Sequence, residues 1–189
     1  VTQAQSGYYT VSSVGGTTAI AAGAVDEAQA QAGYFTIDSN GATNAGASNV
    51  QQAQSGYYTV SSVGGTTAIA VGAVDEAQAA AGYIATDGTD TLTGVNIGAV
   101  AQELCGVGTF SAVGATACTT AQLGYYTVDA SNNVLSSPWE GAVAEVQAAE
   151  GYFTVDSSGA ATASGAVDVT QAQSGYYTVS SVGGTTAIA

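Results

Sequence analysis

The chain has 189 residues, a formal net charge of −14 and no Lys, Arg or His. With no cation to meet phosphate, it lacks the electrostatic footprint of nucleic-acid binding and is disfavoured at anionic membrane surfaces. Charged residues are only 7%, and the 46% that is hydrophobic is mostly Ala and Val. No apolar run approaches the roughly 20 residues a membrane-spanning helix needs.

In chain order, a small residue, two variable residues, Gly and an aromatic recur. The copies are Ala4-Gln5-Ser6-Gly7-Tyr8, Ala30-Gln31-Ala32-Gly33-Tyr34, Ala53-Gln54-Ser55-Gly56-Tyr57 and Ala79-Ala80-Ala81-Gly82-Tyr83. Cys105-Gly106-Val107-Gly108-Thr109-Phe110 follows, then copies ending at Tyr125, Tyr152 and Tyr176. The landmark glycines 7, 33, 56, 82, 108, 124, 151 and 175 span 175 − 7 = 168 residues in seven intervals, a mean of 24. Residues 1–21 and 169–189 are identical, again offset by 168. Residues 1–168 therefore read as one super-repeat of about seven short units, with 169–189 opening the next.

After each landmark, Gly-Tyr-Tyr-Thr-Val-Ser-Ser and its relatives are rich in aromatic and β-branched residues, which predicts a short strand. Asp38-Ser39-Asn40-Gly41, Asp156-Ser157-Ser158-Gly159 and Val14-Gly15-Gly16 carry turn chemistry. Thr17-Thr18-Ala19-Ile20 and Thr66-Thr67-Ala68-Ile69 are the expected partner strands, giving a hairpin with a three- to five-residue loop. Gly23-Ala24-Val25-Asp26-Glu27-Ala28-Gln29-Ala30 has helix propensity but is too short to be stable alone, leaving a short helix or an irregular connector. Ser136-Ser137-Pro138-Trp139-Glu140 holds the only Pro and the only Trp and reads as a loop with an aromatic lid. The fold class is all-β: an elongated tandem-repeat rod of about seven hairpin units, with a β or β/α solenoid as the runner-up.

The run Cys105-Gly106-Val107-Gly108-Thr109-Phe110-Ser111-Ala112-Val113-Gly114-Ala115-Thr116-Ala117-Cys118 resembles the cysteine-rich repeats of growth-factor-receptor and ephrin-receptor-like type, of the kind found in protist surface and coat proteins. The resemblance implies a Cys105–Cys118 disulfide and an extracellular or cell-surface location. It also implies cysteine at Ala4, Ala19, Ala30, Ala45, Ala53, Ala68, Ala121, Ala148 and Ala172, where this chain has alanine. A unit of about 24 residues cannot bury enough surface to fold alone, so stacked neighbours or staples must stabilise it.

Without His or Lys, a serine triad or Schiff base lacks its base or amine, and no catalytic activity or cofactor is expected. Calcium is the one metal to weigh. Asp26-Glu27 and Asp75-Glu76 recur at equivalent places and are its weak candidates. Asp38, Asp129 and Asp156 read instead as turn-forming residues. The tyrosine pairs Tyr8/Tyr9, Tyr57/Tyr58, Tyr125/Tyr126 and Tyr176/Tyr177, with Trp139, are the candidate packing residues. One ring of each pair is expected to cover the sparse core and the other to serve packing between chains. No Asn-x-Ser/Thr sequon occurs, while the Ser/Thr-rich strand ends leave O-linked glycans open. The reading in hand is an extracellular structural protein whose partner is itself, as a filament, fibre or coat. The alternative is an adhesin or antigen stalk displaying a binding region elsewhere.

Overall fold

Tyr-Tyr-Thr-Val and its relatives form the first strand of every hairpin in the computed structural model, which describes residues 1–43, 45–89, 94–95 and 97–179. The expected continuation at 180–189 lies outside the described residues. Strand β1 (Tyr8–Val11) pairs with β2 (Asp26–Gln29), β3 (Tyr34–Ile37) with β4 (Asn49–Gln52), and β5 (Tyr57–Val60) with β6 (Asp75–Gln78). Next, β7 (Tyr83–Thr86) pairs with β8 (Ala101–Leu104), and a short β9 (Thr109–Phe110) with β10 (Thr119–Thr120). Finally, β11 (Tyr125–Val128) pairs with β12 (Ala144–Gln147), and β13 (Tyr152–Val155) with β14 (Asp168–Gln171). Each pair is its own two-stranded sheet, here hairpins 1 to 7 in chain order. The described residues contain no helix.

Two sequence expectations are corrected. The partner of Tyr8–Val11 is not Thr17–Ile20 but Asp26–Gln29, with Tyr9 opposite Ala28 and Val11 opposite Asp26. Thr17–Ile20 instead folds back inside the long connection, where Ala19 makes a single antiparallel bridge to Val11. Second, the Asp-Glu-Ala-Gln stretches are neither helices nor irregular connectors. They are strands, because pairing with an aromatic, β-branched neighbour outweighs a weak local propensity in four residues. The loops are accordingly longer than the expected three to five residues.

An isolated two-stranded hairpin is at best marginally stable in water, and the apolar packing lies where hairpins meet. Tyr9 and Val11 of hairpin 1 pack with Ala47 of hairpin 2, flanked by Ala19, Ala28 and Val50. Tyr58 and Val60 of hairpin 3 pack with Ala85 and Ala99 of hairpin 4 and with Ala79 between them. The chain divides into two compact units, one of residues 1–79 with 84–103, the other of residues 80–83 with those from 104 onward. Both units use the same joint.

Within the first unit, the outward N–H of Thr10 donates to Ala47 O at 3.0 Å, that of Thr36 to Ala73 O at 3.1 Å, and that of Thr59 to Ala99 O at 3.0 Å. The second unit repeats this, with Ser111 N–H donating to Ala142 O and Thr127 N–H to Ala166 O. Each acceptor is the Ala of a Gly-Ala pair two residues before the second strand of the following hairpin. Hairpins 1, 2, 3, 5 and 6 thus each lend the first strand to a parallel bridge with the successor, as in Tyr9 with Ala47 or Tyr126 with Ala166.

Candidate functional site: the joints between hairpins

The joint has a second layer that reaches two hairpins ahead. Gly72 N–H of hairpin 3 donates to Ala30 O at 2.8 Å, just beyond the end of hairpin 1, and Gly98 N–H donates to Ala53 O at 2.8 Å. In the second unit Gly141 N–H donates to Cys105 O at 2.9 Å and Gly165 N–H to Ala121 O at 2.8 Å. The landmark glycine is pressed against the same segment. A Cβ on Gly7 would overlap the Gly72 carbonyl, and on Gly108 the Gly165 carbonyl. Gly7 also has φ of 78°, so it is glycine for two reasons, a left-handed backbone and a backbone neighbour at van der Waals distance.

The tyrosine pairs divide by face as strand alternation requires. Tyr9 and Tyr58 are 4% and 1% exposed, while Tyr8 and Tyr57 are half-buried. The buried Tyr58 hydroxyl donates to Thr66 O at 3.1 Å, and the Tyr9 hydroxyl to Thr17 O. Burial pushes the Tyr58 phenol above its ordinary 10.0. Tyr125 and Tyr126 are both half-buried, and Tyr176 and Tyr177 stand exposed at 75% and 64%. Beside the buried tyrosine sits a threonine that sequence reasoning passed over. Thr59 is fully buried, and its hydroxyl donates to Ile69 O at 2.6 Å, tying the long connection to the first strand. Thr10 does the same to Ile20 O. No buried side-chain N or O among the described residues lacks a partner.

Cys105 and Cys118 form a disulfide with a Cα–Cα separation of 5.6 Å. Strand register shows what that bond replaces. Thr119 pairs with Phe110 as Ala28 pairs with Tyr9, so Cys118 stands where hairpin 1 has Glu27, hairpin 3 has Glu76 and hairpin 6 has Glu145. Each of those glutamates reaches back to the start of its own unit. The Glu27 carboxylate accepts from Gln5 N–H at 2.9 Å and from Gln5 Nε2 at 2.7 Å. Glu76 holds Gln54 in the same way, and Glu145 holds Gln122. The glutamine follows the alanine that corresponds to Cys105, so a bidentate amide–carboxylate clamp and a disulfide close the same loop in different hairpins.

Register sorts the expected cysteine positions into two sets. Ala4, Ala30, Ala53 and Ala121 do stand in the place of Cys105. All are buried, and Ala30 N–H donates to Gly7 O just as Cys105 N–H donates to Gly82 O. Ala148 and Ala172, half-buried, donate likewise to Gly124 O and Gly151 O. The second set does not match. Ala19 and Ala68 bridge to Val11 and Val60 within the connection, and Ala45 is exposed, so none of them lies at the Cys118 position. The Gly-x-Thr-x-Cys spacing misleads because hairpin 5 has a much shorter connection, which brings the turn and the second strand together in sequence.

The calcium candidates are engaged separately. Asp26 Oδ2 accepts from Gly15 N–H at 2.9 Å and Asp75 Oδ2 from Gly64 N–H at 2.9 Å, while Glu27 and Glu76 serve the clamps. Adjacent strand residues point to opposite faces, so the two carboxylates of each pair do not converge. Among the described residues no three acidic or cysteine side chains cluster with metal-binding geometry. The turn aspartates behave as expected. Asp38, Asp129 and Asp156 accept from the N–H groups of Asn40, Ser131 and Ser158 at 2.7, 2.8 and 2.8 Å. Trp139 is half-buried beside the Ser137-Pro138 turn, which is closed by Trp139 N–H donating to Ser136 O. A groove of about 240 Å³ in the first unit is lined by hydroxyl and small apolar residues, among them Ser6, Thr36, Ser61, Ser62 and Val74, with no carboxylate.

The Gly-Ala pair is the signal that sequence reasoning missed. Of the Gly-Ala pairs in the sequence, those at 23–24, 46–47, 72–73, 98–99, 141–142 and 165–166 stand two residues before a second strand, while 41–42, 114–115 and 159–160 do not. No protein-family model, curated protein or solved structure matches this chain.

Proposed function

We propose that the chain is an extracellular structural repeat protein, without catalytic activity, whose hairpins stack into an elongated rod that assembles with copies of itself into a filament, fibre or surface coat. One observation carries this reading. The backbone bond to a Gly-Ala alanine recurs at five joints, from Thr at four and from Ser111 at the fifth, always from a first strand or its end to the next hairpin. A joint made of backbone bonds and alanine contacts can be repeated indefinitely, which is what a solenoid-like element requires.

The disulfide agrees with an oxidising compartment, where such bonds persist. It also keeps alive the likeness to growth-factor-receptor and ephrin-receptor-like repeats, with glutamine–glutamate clamps standing in where those repeats carry cysteine. The half-exposed tyrosines Tyr8 and Tyr57 supply flat aromatic surface for packing between rods, and the Ser/Thr-rich turns are open to O-linked glycans.

Negative-stain electron microscopy of the purified chain tests the proposal. Fibres or sheets with lateral or axial contacts between copies support it. Lone, unassociated threads at every concentration favour the adhesin stalk instead, and compact particles with no elongation defeat both.

A further inference from the structure

The outer edge of each second strand carries backbone groups that the hairpin itself does not use. In hairpin 6, Ala148 N–H bonds inward to Gly124 O and Val146 lies opposite Tyr126, so by alternation Glu145 and Gln147 turn their N–H and C=O groups outward. Such a row of open donors and acceptors is a template for another strand. In four hairpins the first outward donor is already taken by the side chain just before it. Asn49 Oδ1 accepts from Val50 N–H at 2.9 Å, Asp75 Oδ1 from Glu76 N–H at 2.9 Å and Asp168 Oδ1 from Val169 N–H at 2.7 Å. Asp26 accepts from Glu27 N–H in the same way.

Hairpin 6 lacks this cap. Its second strand β12 begins at Ala144, whose methyl group accepts nothing. Hairpin 4 also begins its second strand with alanine, Ala101, but Gln102 there has a contact of its own, and hairpin 5 has a second strand of only two residues. Among the described residues no backbone bond uses the outward groups of Glu145 or Gln147, β12 pairs only with β11, and Gln147 is exposed. The bareness belongs to the edge and not to its place in the chain. Hairpins 2 and 3 are both bonded to hairpin 1, through Ala47 O and Gly72 N–H, and Gln29 at the corresponding position is exposed as well.

We propose that β12 pairs edge to edge with β12 of a second copy, antiparallel about a two-fold axis at Val146. Glu145 N–H donates to Gln147 O of the second copy, whose Gln147 N–H donates back to Glu145 O. The axis repeats both, giving four backbone bonds. The inference rests on the reading of the chain as a self-assembling rod and names a lateral contact between two copies. The side chains suit this occupant. The register sets each Glu145 across from a Gln147 amide and not from another carboxylate, and like charges directly opposite would destabilise the pair. A chain of net charge −14 with no Lys, Arg or His cannot join a copy of itself through side-chain ion pairs. Backbone bonds at an uncapped edge do not need them.

Ala144→Asn is the discriminating variant in the full chain. It installs the cap that Asn49 supplies in hairpin 2, adds no charge and leaves Glu145 its clamp on Gln122. Asn49→Ala is the converse, removing an exposed side chain and opening the edge of β4. Sedimentation velocity over a concentration series should show the original chain associating, with Ala144→Asn needing at least about tenfold higher concentration. Asn49→Ala should form larger assemblies than the original chain at equal concentration, because each copy then has two open edges. Association of Ala144→Asn at the original concentration, or no gain in Asn49→Ala, overturns this contact and leaves the fibre reading standing. Failure of the original chain to associate at any concentration overturns the fibre reading and the contact with it.

Discussion

Breaking the Cys105–Cys118 bond gives the sharpest test of how the hairpins are held. The two cysteines are 13 residues apart, and closing a loop of that size removes about 3 kcal/mol of unfolded-chain entropy. In Cys105→Ala/Cys118→Ala, hairpin 5 should open locally by about that amount, a loss of about a hundredfold in hydrogen-exchange protection. Two amides report it directly, Ser111 N–H bonded to Ala142 O and Ala121 N–H bonded to Gly108 O. Native-state exchange read by mass spectrometry should show the loss in peptides covering 105–121. Peptides containing Thr10 and Thr36, which lie in other joints, should be unchanged. Rebuilding the noncovalent closure in the same background, with Gly106→Gln and Cys118→Glu, should recover about 1 kcal/mol, the usual net value of such hydrogen bonds. Uniform loss over all hairpins, or no loss in 105–121, would refute the view that the disulfide closes hairpin 5 as the glutamate clamps close hairpins 1, 3 and 6.

Three further outcomes follow from the same geometry. Because Glu27 occupies the place of Cys118, Ala4→Cys with Glu27→Cys should oxidise to a second disulfide, while Ala4→Cys with Ala19→Cys should not; intact mass with and without reductant separates them. Gly7→Ala should cost several kcal/mol in thermal or urea unfolding, because the methyl must displace the Gly72 backbone, whereas Gly15→Ala, with φ of 66° but nothing within 4 Å, should cost only about 1–2 kcal/mol. Equal costs would sink the close-packing argument. For pH, the backbone N–H groups of Gly15 and then Glu27 hold the Asp26 carboxyl below its ordinary 3.8; those of Asn133 and Ser131 do so for Asp129, and the Ser158 hydroxyl and N–H for Asp156. A depressed carboxyl contributes stability that is present above the unfolded value and lost as pH falls through the folded one. The turns should therefore loosen below about pH 4, and melting temperatures that keep rising below that point would contradict this.

The first strands were legible in the sequence because Tyr, Thr and Val in alternation have one good use, a pleated surface with one side buried. The turn aspartates were legible because an Asp carboxylate satisfies backbone N–H groups two to four residues on, a local bond that needs no tertiary partner. The second strands were not legible. Asp26-Glu27-Ala28-Gln29 has no strand-forming residue, and its conformation is fixed from outside, by β1 along one edge and by the pull of Gln5 on Glu27. The joints were hidden for a related reason. Gly and Ala look like filler until their backbone is seen to be the part that binds, with Ala73 O taking the Thr36 N–H and Gly72 lying under Gly7. The equivalence of Glu27 and Cys118 also escaped, because motif alignment follows chain spacing whereas the clamp follows strand register.

The division of labour inside each hairpin follows from these contacts. The first strand is shared between two neighbours, pairing with its own second strand on one edge and with the next hairpin's Gly-Ala on the other, so substitution there disturbs both. The second strand carries a glutamate clamp in hairpins 1, 3 and 6, whereas hairpins 2 and 7 have Val50 and Val169 at that register position, and its sequence varies freely. Asp-Glu-Ala-Gln, Asn-Val-Gln-Gln, Ala-Gln-Glu-Leu and Asp-Val-Thr-Gln all serve as second strands, whereas Tyr or Phe followed two residues on by a β-branched residue is kept in nearly every full-length first strand. In hairpin 5 the Gly-Ala of the short connection, Gly114-Ala115, stands four residues before the second strand instead of two, and the backbone contact to Gly82 and Tyr83 of the same unit is made differently. Ser111 O accepts from Gly82 N–H, and the Ser111 hydroxyl donates to Tyr83 O. The same hairpin is the one closed covalently. Where the repeating backbone joint is lost, a stronger closure stands in its place, and that pairing argues that the joint rather than the individual hairpin is the unit of stability.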